Sequence, residues 1–136
     1  MTDPLADRIA GRLAGSSDIA VITVLRRKAA LLVLTGRDLS ARAAAAQARW
    51  RAQLGDGPLR LVLALPPGEL FLDSLLAGMM GGHTVVPVAL PRLGSVSSRL
   101  AHIARDCQAH AVLCSAAQAA AIRDGLAPGG QALPCA

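Results

Sequence analysis

Arg60-Leu61-Val62-Leu63-Ala64-Leu65-Pro66-Pro67-Gly68-Glu69-Leu70-Phe71, continued through the apolar run Leu72–Met80 to Gly81-Gly82-His83-Thr84-Val85-Val86-Pro87-Val88, is the stretch that decides the fold. Residues 60–65 are apolar without alternation, which reads as a strand covered on both faces by helices. Pro66-Pro67-Gly68 turns the chain. Residues 69–80 are apolar on nearly every side and read as a buried helix, ended by Gly81-Gly82. Thr84–Val88 reads as a second buried strand.

The pattern extends in both directions. Upstream, Thr35-Gly36-Arg37-Asp38 is a variant capping box, in which a hydroxyl accepts from a free backbone N–H and a carboxylate reaches back. Leu39, Ala43, Ala46, Trp50 and Leu54 then keep helical spacing up to the stop at Gly55-Asp56-Gly57-Pro58. Downstream, Pro91–Gly94 is a loop, and Ser95, Ser97 and Ser98 cap a helix with Leu100, Ile103, Ala104 and Cys107 on its inner stripe. Ala111–Cys114 is a strand, and Ser115 caps a last helix to about Asp124. Helix and strand therefore alternate from Thr35 onward. That order implies an α/β fold: a parallel sheet with helices on both faces. Before it, residues 4–14 read as a short helix with Leu5, Ile9 and Leu13 on one face. Ile19–Leu25 and Ala29–Leu34 read as a hairpin around the polar turn Arg26-Arg27-Lys28. The expected organisation is a single partial domain over 1–136: helix and hairpin at 1–34, alternating unit at 35–125, loose tail at 126–136.

Composition limits the function. The chain has 136 residues, a net charge of +5 and 53% hydrophobic residues, enough for a packed core. Aromatic residues are 1%, only Trp50 and Phe71, which disfavours a protein that stacks single-stranded bases. Arginine is dispersed, and the row Arg37, Arg42, Arg49 and Arg51 reads as a solvated helix face, so no nucleic-acid partner is expected. Three cysteines are too few and odd in number for a disulfide framework, which points to a reducing compartment. Two acids near the N-terminus argue against a secretory signal. Leu70–Leu90 approaches the length of a membrane span, about 20 residues, but Asp73, His83, Gly81-Gly82 and Pro87 interrupt it. The expectation is a cytoplasmic protein without a span.

Tests for catalytic motifs return little. There is no G-x-G-x-x-G, and no Walker loop near Lys28. Prolines 66 and 67 remove backbone donors that a phosphate would use. Cys107, His110 and Cys114, with His102 nearby, fall on a helix end, a turn and a strand end, where four zinc ligands would not converge. Cys135 lies in the expected tail. His83 reads as a satisfied or solvent-facing histidine. Glu69, the only glutamate, sits where a carboxylate favours the positive end of a helix. No catalytic, cofactor-binding or metal residue is assigned.

One set of segments carries a resemblance. Leu34-Thr35-Gly36-Arg37-Asp38-Leu39 looks like the "L-T-Y-x-E-L" opening of acyl-adenylate-forming enzymes. Leu61–Phe71 is similar to their "V-x-L-x-x-P-P-G-x-x-F" segment, and its Pro-Pro-Gly resembles the fatty acyl-AMP ligase branch more than general acyl-CoA synthetases. Gly82–Val88 resembles "A-G-x-x-x-V-P". Pro91-Arg92 with Arg99–Asp106 resembles "P-R…R-L-x-x-I-x-x-D", and Ala111–Ser115 resembles "A-x-x-V-L-T". The order and spacing hold over about residues 34–116. Departures include Gly36 in place of an aromatic, Asp38 for glutamate, Gly81 before Gly82 and Ala89-Leu90 in a run usually richer in proline.

The resemblance implies the N-terminal portion of an AMP-binding ligase of lipid or polyketide biosynthesis. The complete family enzyme uses ATP and magnesium to convert a carboxylic acid into an acyl-adenylate before passing it to a thiol. The family's phosphate loop, ribose-binding aspartate and catalytic lysine lie beyond the matched region, so this chain alone is expected to be inactive and to need no cofactor. It would be an expressed piece, a split subunit or a truncated gene product. The expected partners are the remainder of the enzyme, a complementary subunit or an acyl carrier protein, with self-association also expected. The alternative is a free-standing, non-catalytic binding module derived from the family.

Overall fold

The structure is a computed structural model and describes residues 4–90, 98–126 and 130–135. Among these residues, five helices and six strands follow in the order α1 (Pro4–Gly15), β1 (Ala20–Val24), β2 (Leu32–Thr35), α2 (Gly36–Leu54), β3 (Arg60–Ala64), α3 (Glu69–Met80), β4 (Thr84–Pro87), α4 (Ser98–Asp106), β5 (Ala111–Ser115), α5 (Ala119–Gly125) and β6 (Ala132–Cys135). The fold is α/β. β1 and β2 form an antiparallel hairpin, and the other four strands form a parallel sheet in the order β4-β3-β5-β6. No helix of the described residues is long and apolar enough to cross a membrane.

Contacts divide the chain into two compact units: Met1–Asp56 with Leu72–Gly82, and Gly57–Phe71 with His83–Ala136. These boundaries differ from the sequence division at residues 34 and 125, because α2 and most of α3 group with the hairpin.

The first unit centres on Leu13, Leu34 and Leu39, with Ile9, Ile22, Leu32, Leu76 and Met80 packed against them. The capping box at α2 forms as expected: the Asp38 N–H donates to Thr35 Oγ1 at 3.2 Å, and the Thr35 N–H donates to Asp38 Oδ2 at 2.9 Å. The backbone hydrogen bond from Thr35 to the ionised carboxylate, and after it the Thr35 hydroxyl, hold Asp38 below its ordinary pKa. The turn after α1 is bound to the start of α2. Ser16 O accepts from the N–H groups of Ile19 (3.1 Å) and Gly36 (3.0 Å), and Ser17 O accepts from Arg37 (3.2 Å).

Three details depart from the sequence reading. Leu5 is exposed although it shares the apolar stripe of α1. Arg42 is not a solvated helix residue: its Nε donates to Asp73 Oδ1 at 2.8 Å, while Gln47 Nε2 donates to the Ala77 carbonyl at 3.0 Å. Helix α3 accordingly buries Asp73, Ser74, Ala77 and Gly78, and its leucines and methionines are only half-buried. A carboxylate can be placed inward here because a guanidinium meets it.

In the second unit, Val62, Ala64, Val112, Cys114 and Ala132 pack with Leu100, Ala119 and Ile122 from α4 and α5. Leu61, Leu63 and Leu113, which alternate with them, are also fully buried, so neither face of β3 or β5 meets solvent. Two expectations change. Strand β4 is an edge strand, exposed at Thr84 and Pro87, rather than a buried one. The tail is not loose throughout, since Ala132–Cys135 form β6, with Ala132 and Cys135 buried. Each edge strand holds a proline, Pro87 or Pro134, the residue tolerated where one side of a strand has no ladder to complete.

Candidate functional site

Ligands of open parallel sheets bind beyond the carboxyl ends of the strands. In the second unit those ends carry a cavity. Its volume is about 460 Å³, and it is lined by Leu65, Pro67 and Phe71 after β3 and by Pro87, Val88, Ala89 and Leu90 at the end of β4. A smaller hollow of about 170 Å³ shares Pro87–Ala89 and adds Arg99, Leu100 and Ile103 from α4. The larger cleft is lined by apolar side chains and has the size of a small-molecule site. It can hold an aliphatic or other uncharged group by excluding water from both surfaces.

The opposite, amino end of the sheet is fixed by two histidines. His83 Nδ1 accepts from the Leu59 N–H at 3.0 Å, and His110 Nδ1 accepts from the Arg60 N–H at 2.9 Å. Each histidine immediately precedes a neighbour of β3, and the adjoining ladder bonds run from Thr84 N to Leu59 O and from His110 N to Arg60 O, both 2.8 Å. The imidazoles thus take up two amides at the start of the central strand. Arg60 Nε also donates to the Gln108 carbonyl at 2.9 Å. His83 is satisfied, as the sequence suggested. The role of His110 was not legible, because its partner is fifty residues away.

His102, Cys107, Cys114 and Glu69 are not among the residues that line the cleft. His102 meets Arg105 on α4, with Nδ1 and Nη2 3.0 Å apart. Cys107 Sγ lies 3.7 Å from the Ala104 carbonyl, and Cys114 Sγ lies 3.8 Å from the Leu133 carbonyl. Burial pushes the Cys114 thiol up to about 11, nearby Cys135 adds to this and Arg123 opposes it. Such a thiol is protonated at neutral pH and is a poor nucleophile. Among the described residues, no three His, Cys, Asp or Glu side chains cluster to hold a metal ion. Glu69 stands in the first turn of α3. Ser95 and Ser97 lie outside the described residues, and Ser98 begins α4. Ser115 ends β5 and does not cap α5, whose N-cap is Gln118; its Oγ meets Gln118 Oε1 at 3.5 Å.

No family model matches this sequence, and no curated protein matches it. Solved structures do match. Fatty acyl-adenylate ligases from E. coli and L. pneumophila are represented by a structure 25% identical, with a TM-score of 0.75 over 97% of this chain and 24% of that one. The fatty acyl-adenylate ligase from L. pneumophila in complex with acyl adenylate and pyrophosphate is 20% identical, with a TM-score of 0.78 over 96% of this chain and 23% of that one. McyG A-PCP complexed with phenylalanyl-adenylate is 16% identical, with a TM-score of 0.80 over 98% of this chain and 26% of that one. The chain has the fold of part of an adenylate-forming enzyme. It spans about a quarter of the length of the structures it matches. This adenylate-forming fold agrees with the motifs at residues 34–116, and it extends the likeness to the N-terminal helix and hairpin, where the motifs gave little.

Proposed function

We propose that this chain is the N-terminal scaffold of a fatty acyl-AMP ligase-like enzyme and is not catalytically competent alone. In its complete form the enzyme would activate a carboxylic or fatty acid with ATP to give an acyl-adenylate, in the cytoplasm, for lipid or polyketide biosynthesis. The observation that carries this reading is the 25% identity, over 97% of the chain, to a structure of fatty acyl-adenylate ligases, together with the ordered motifs from Leu34 to Ser115.

ATP and magnesium would belong to the complete enzyme, and the residues described here do not fit them. The cleft at the carboxyl ends of β3 and β4 is lined by apolar side chains, and the loop leaving β3 presents Pro66 and Pro67, which have no N–H to offer a phosphate. A triphosphate needs oriented donors and cations to offset its charge. What this chain supplies is the sheet, its fixed strand ends and an apolar wall. The remainder of the enzyme, a complementary subunit or an acyl carrier protein is the partner this role requires.

The test is exchange of labelled pyrophosphate into ATP in the presence of a fatty acid. The chain alone gives no exchange. Exchange appears when a polypeptide supplying the phosphate loop and the C-terminal lysine is added. Fatty-acid-dependent exchange by the chain alone overturns the proposal, and failure of the mixture favours a free-standing binding module.

A further inference from the structure

We propose that the β1–β2 hairpin docks, tip first, on an anionic lipid surface. The observations are independent of any adenylating role. Among the described residues, all the exposed large hydrophobic side chains but Leu5 belong to this hairpin and its flanks: Ile19, Val21, Leu25, Leu31 and Val33. The register explains the arrangement. Ile22 pairs with Leu34 and Val24 with Leu32, and Ile22, Leu32 and Leu34 belong to the core of the first unit. The alternate residues, with Thr23 opposite Val33, therefore point outward. A half-buried antiparallel pair ordinarily turns polar residues outward, and here the exposed residues of the two strands are Ala20, Val21, Val33 and a single polar one, Thr23.

Charge identifies the occupant. From Ile19 to Arg37 the sequence contains no aspartate or glutamate, and Arg26, Arg27 and Lys28 stand together at the tip. Every residue from Leu25 to Leu31 is exposed. Leu25 is the most exposed large hydrophobic side chain among the described residues, at 80%, and Leu31 is at 59%. Lys28 takes a left-handed conformation, φ 58°, that folds the tip back. The result is a short cationic turn bordered by Leu25, Ala29, Ala30 and Leu31. Cations at headgroup level with aliphatic side chains just beneath is the pairing that an anionic bilayer interface rewards. A second copy fits less well. It would bring like charges together, and five partly covered aliphatic side chains fall short of the roughly 800 Å² that a stable interface takes from each partner.

The experiment is co-sedimentation of this chain with vesicles of pure phosphatidylcholine and with vesicles of phosphatidylcholine mixed with phosphatidylserine. Binding is expected only to the mixed vesicles, and it weakens as salt rises. Arg27→Ser with Lys28→Ser lowers the partition coefficient about thirtyfold, from the usual increment per cation at a charged surface. Leu25→Ser with Leu31→Ser abolishes binding with every cation retained. All four side chains are exposed, and unchanged circular dichroism verifies that the variants fold. Absence of binding, equal binding to both vesicle types, or binding that survives either double substitution overturns the proposal. So does a lipid-free dimer, seen by sedimentation and lost in the leucine variant, because the face would then belong to a second copy.

Discussion

Replacing Gly36 by alanine tests the closest packing in the first unit. Gly36 is the first residue of α2 and is buried. A Cβ built on it meets the carbonyl oxygen of Leu13 in direct overlap, the carbonyl oxygen of Ser16 at 2.5 Å and the Ser16 carbonyl carbon at 2.8 Å. All three are backbone atoms, so no side chain can swing aside. Relief requires the turn after α1 to move, and that turn is held by the bonds from Gly36 N and Arg37 N to Ser16 O and Ser17 O. Overpacking of this kind costs about 3 kcal/mol or more when the surroundings cannot yield. Alanine returns up to about 1 kcal/mol through helix propensity and a less flexible unfolded chain. The expected net loss is about 2 kcal/mol, which lowers the melting temperature by roughly 6–10 °C in a chain of this length. Gly11→Ala is the control: it lies in α1 with nothing within 4 Å of the added methyl and gains up to about 1 kcal/mol. Both variants are compared by thermal and urea unfolding, followed by far-ultraviolet circular dichroism. If Gly36→Ala is as stable as the parent, the contact between the end of α1 and the start of α2 is wrong.

Three further outcomes follow from the described contacts. Asp73→Ala leaves a partly buried Arg42 without its carboxylate and costs about 2 kcal/mol by urea unfolding, discounted because Arg42 keeps some solvent; Arg42→Leu with Asp73→Leu recovers most of the loss. Asp38 titrates below its ordinary value when folded, so its contribution is complete above the ordinary carboxylate range and is lost as pH falls through the lowered value; Asp38→Asn removes that part of the acid sensitivity of unfolding midpoints. Cys114, raised from 9.0 to about 11, stabilises the fold fully below pH 9.0 and progressively less up to about 11. At neutral pH, mass spectrometry after brief alkylation should find Cys114 unmodified, and rapid labelling there would contradict its burial.

Local signals are legible in this sequence and distant ones are not. The capping box, the stripe Leu39–Ala43–Ala46–Trp50 and the unalternating strand Leu61–Ala64 were legible, because each reports a hydrogen bond or a buried face within a few residues. Strand β4 reads as buried because its composition resembles that of β3, and only the strand order makes one an edge and the other central. The loose-tail reading failed for residues 132–135 because Pro128, Gly129, Gly130 and Pro134 punctuate the sequence, while pairing with β5 is not local. The candidate cleft likewise joins segments from two strand ends that the sequence holds apart.

Residue order by itself determined the alternation of helix and strand, since period, caps and breakers act over one or two turns of chain. Tertiary structure alone decided that Asp73 faces Arg42, that two histidines hold the start of β3, and that the hairpin turns a second, mostly apolar face outward. Each depends on groups brought together from distant positions, and hydrogen bonding and burial respond to distance in space rather than along the chain.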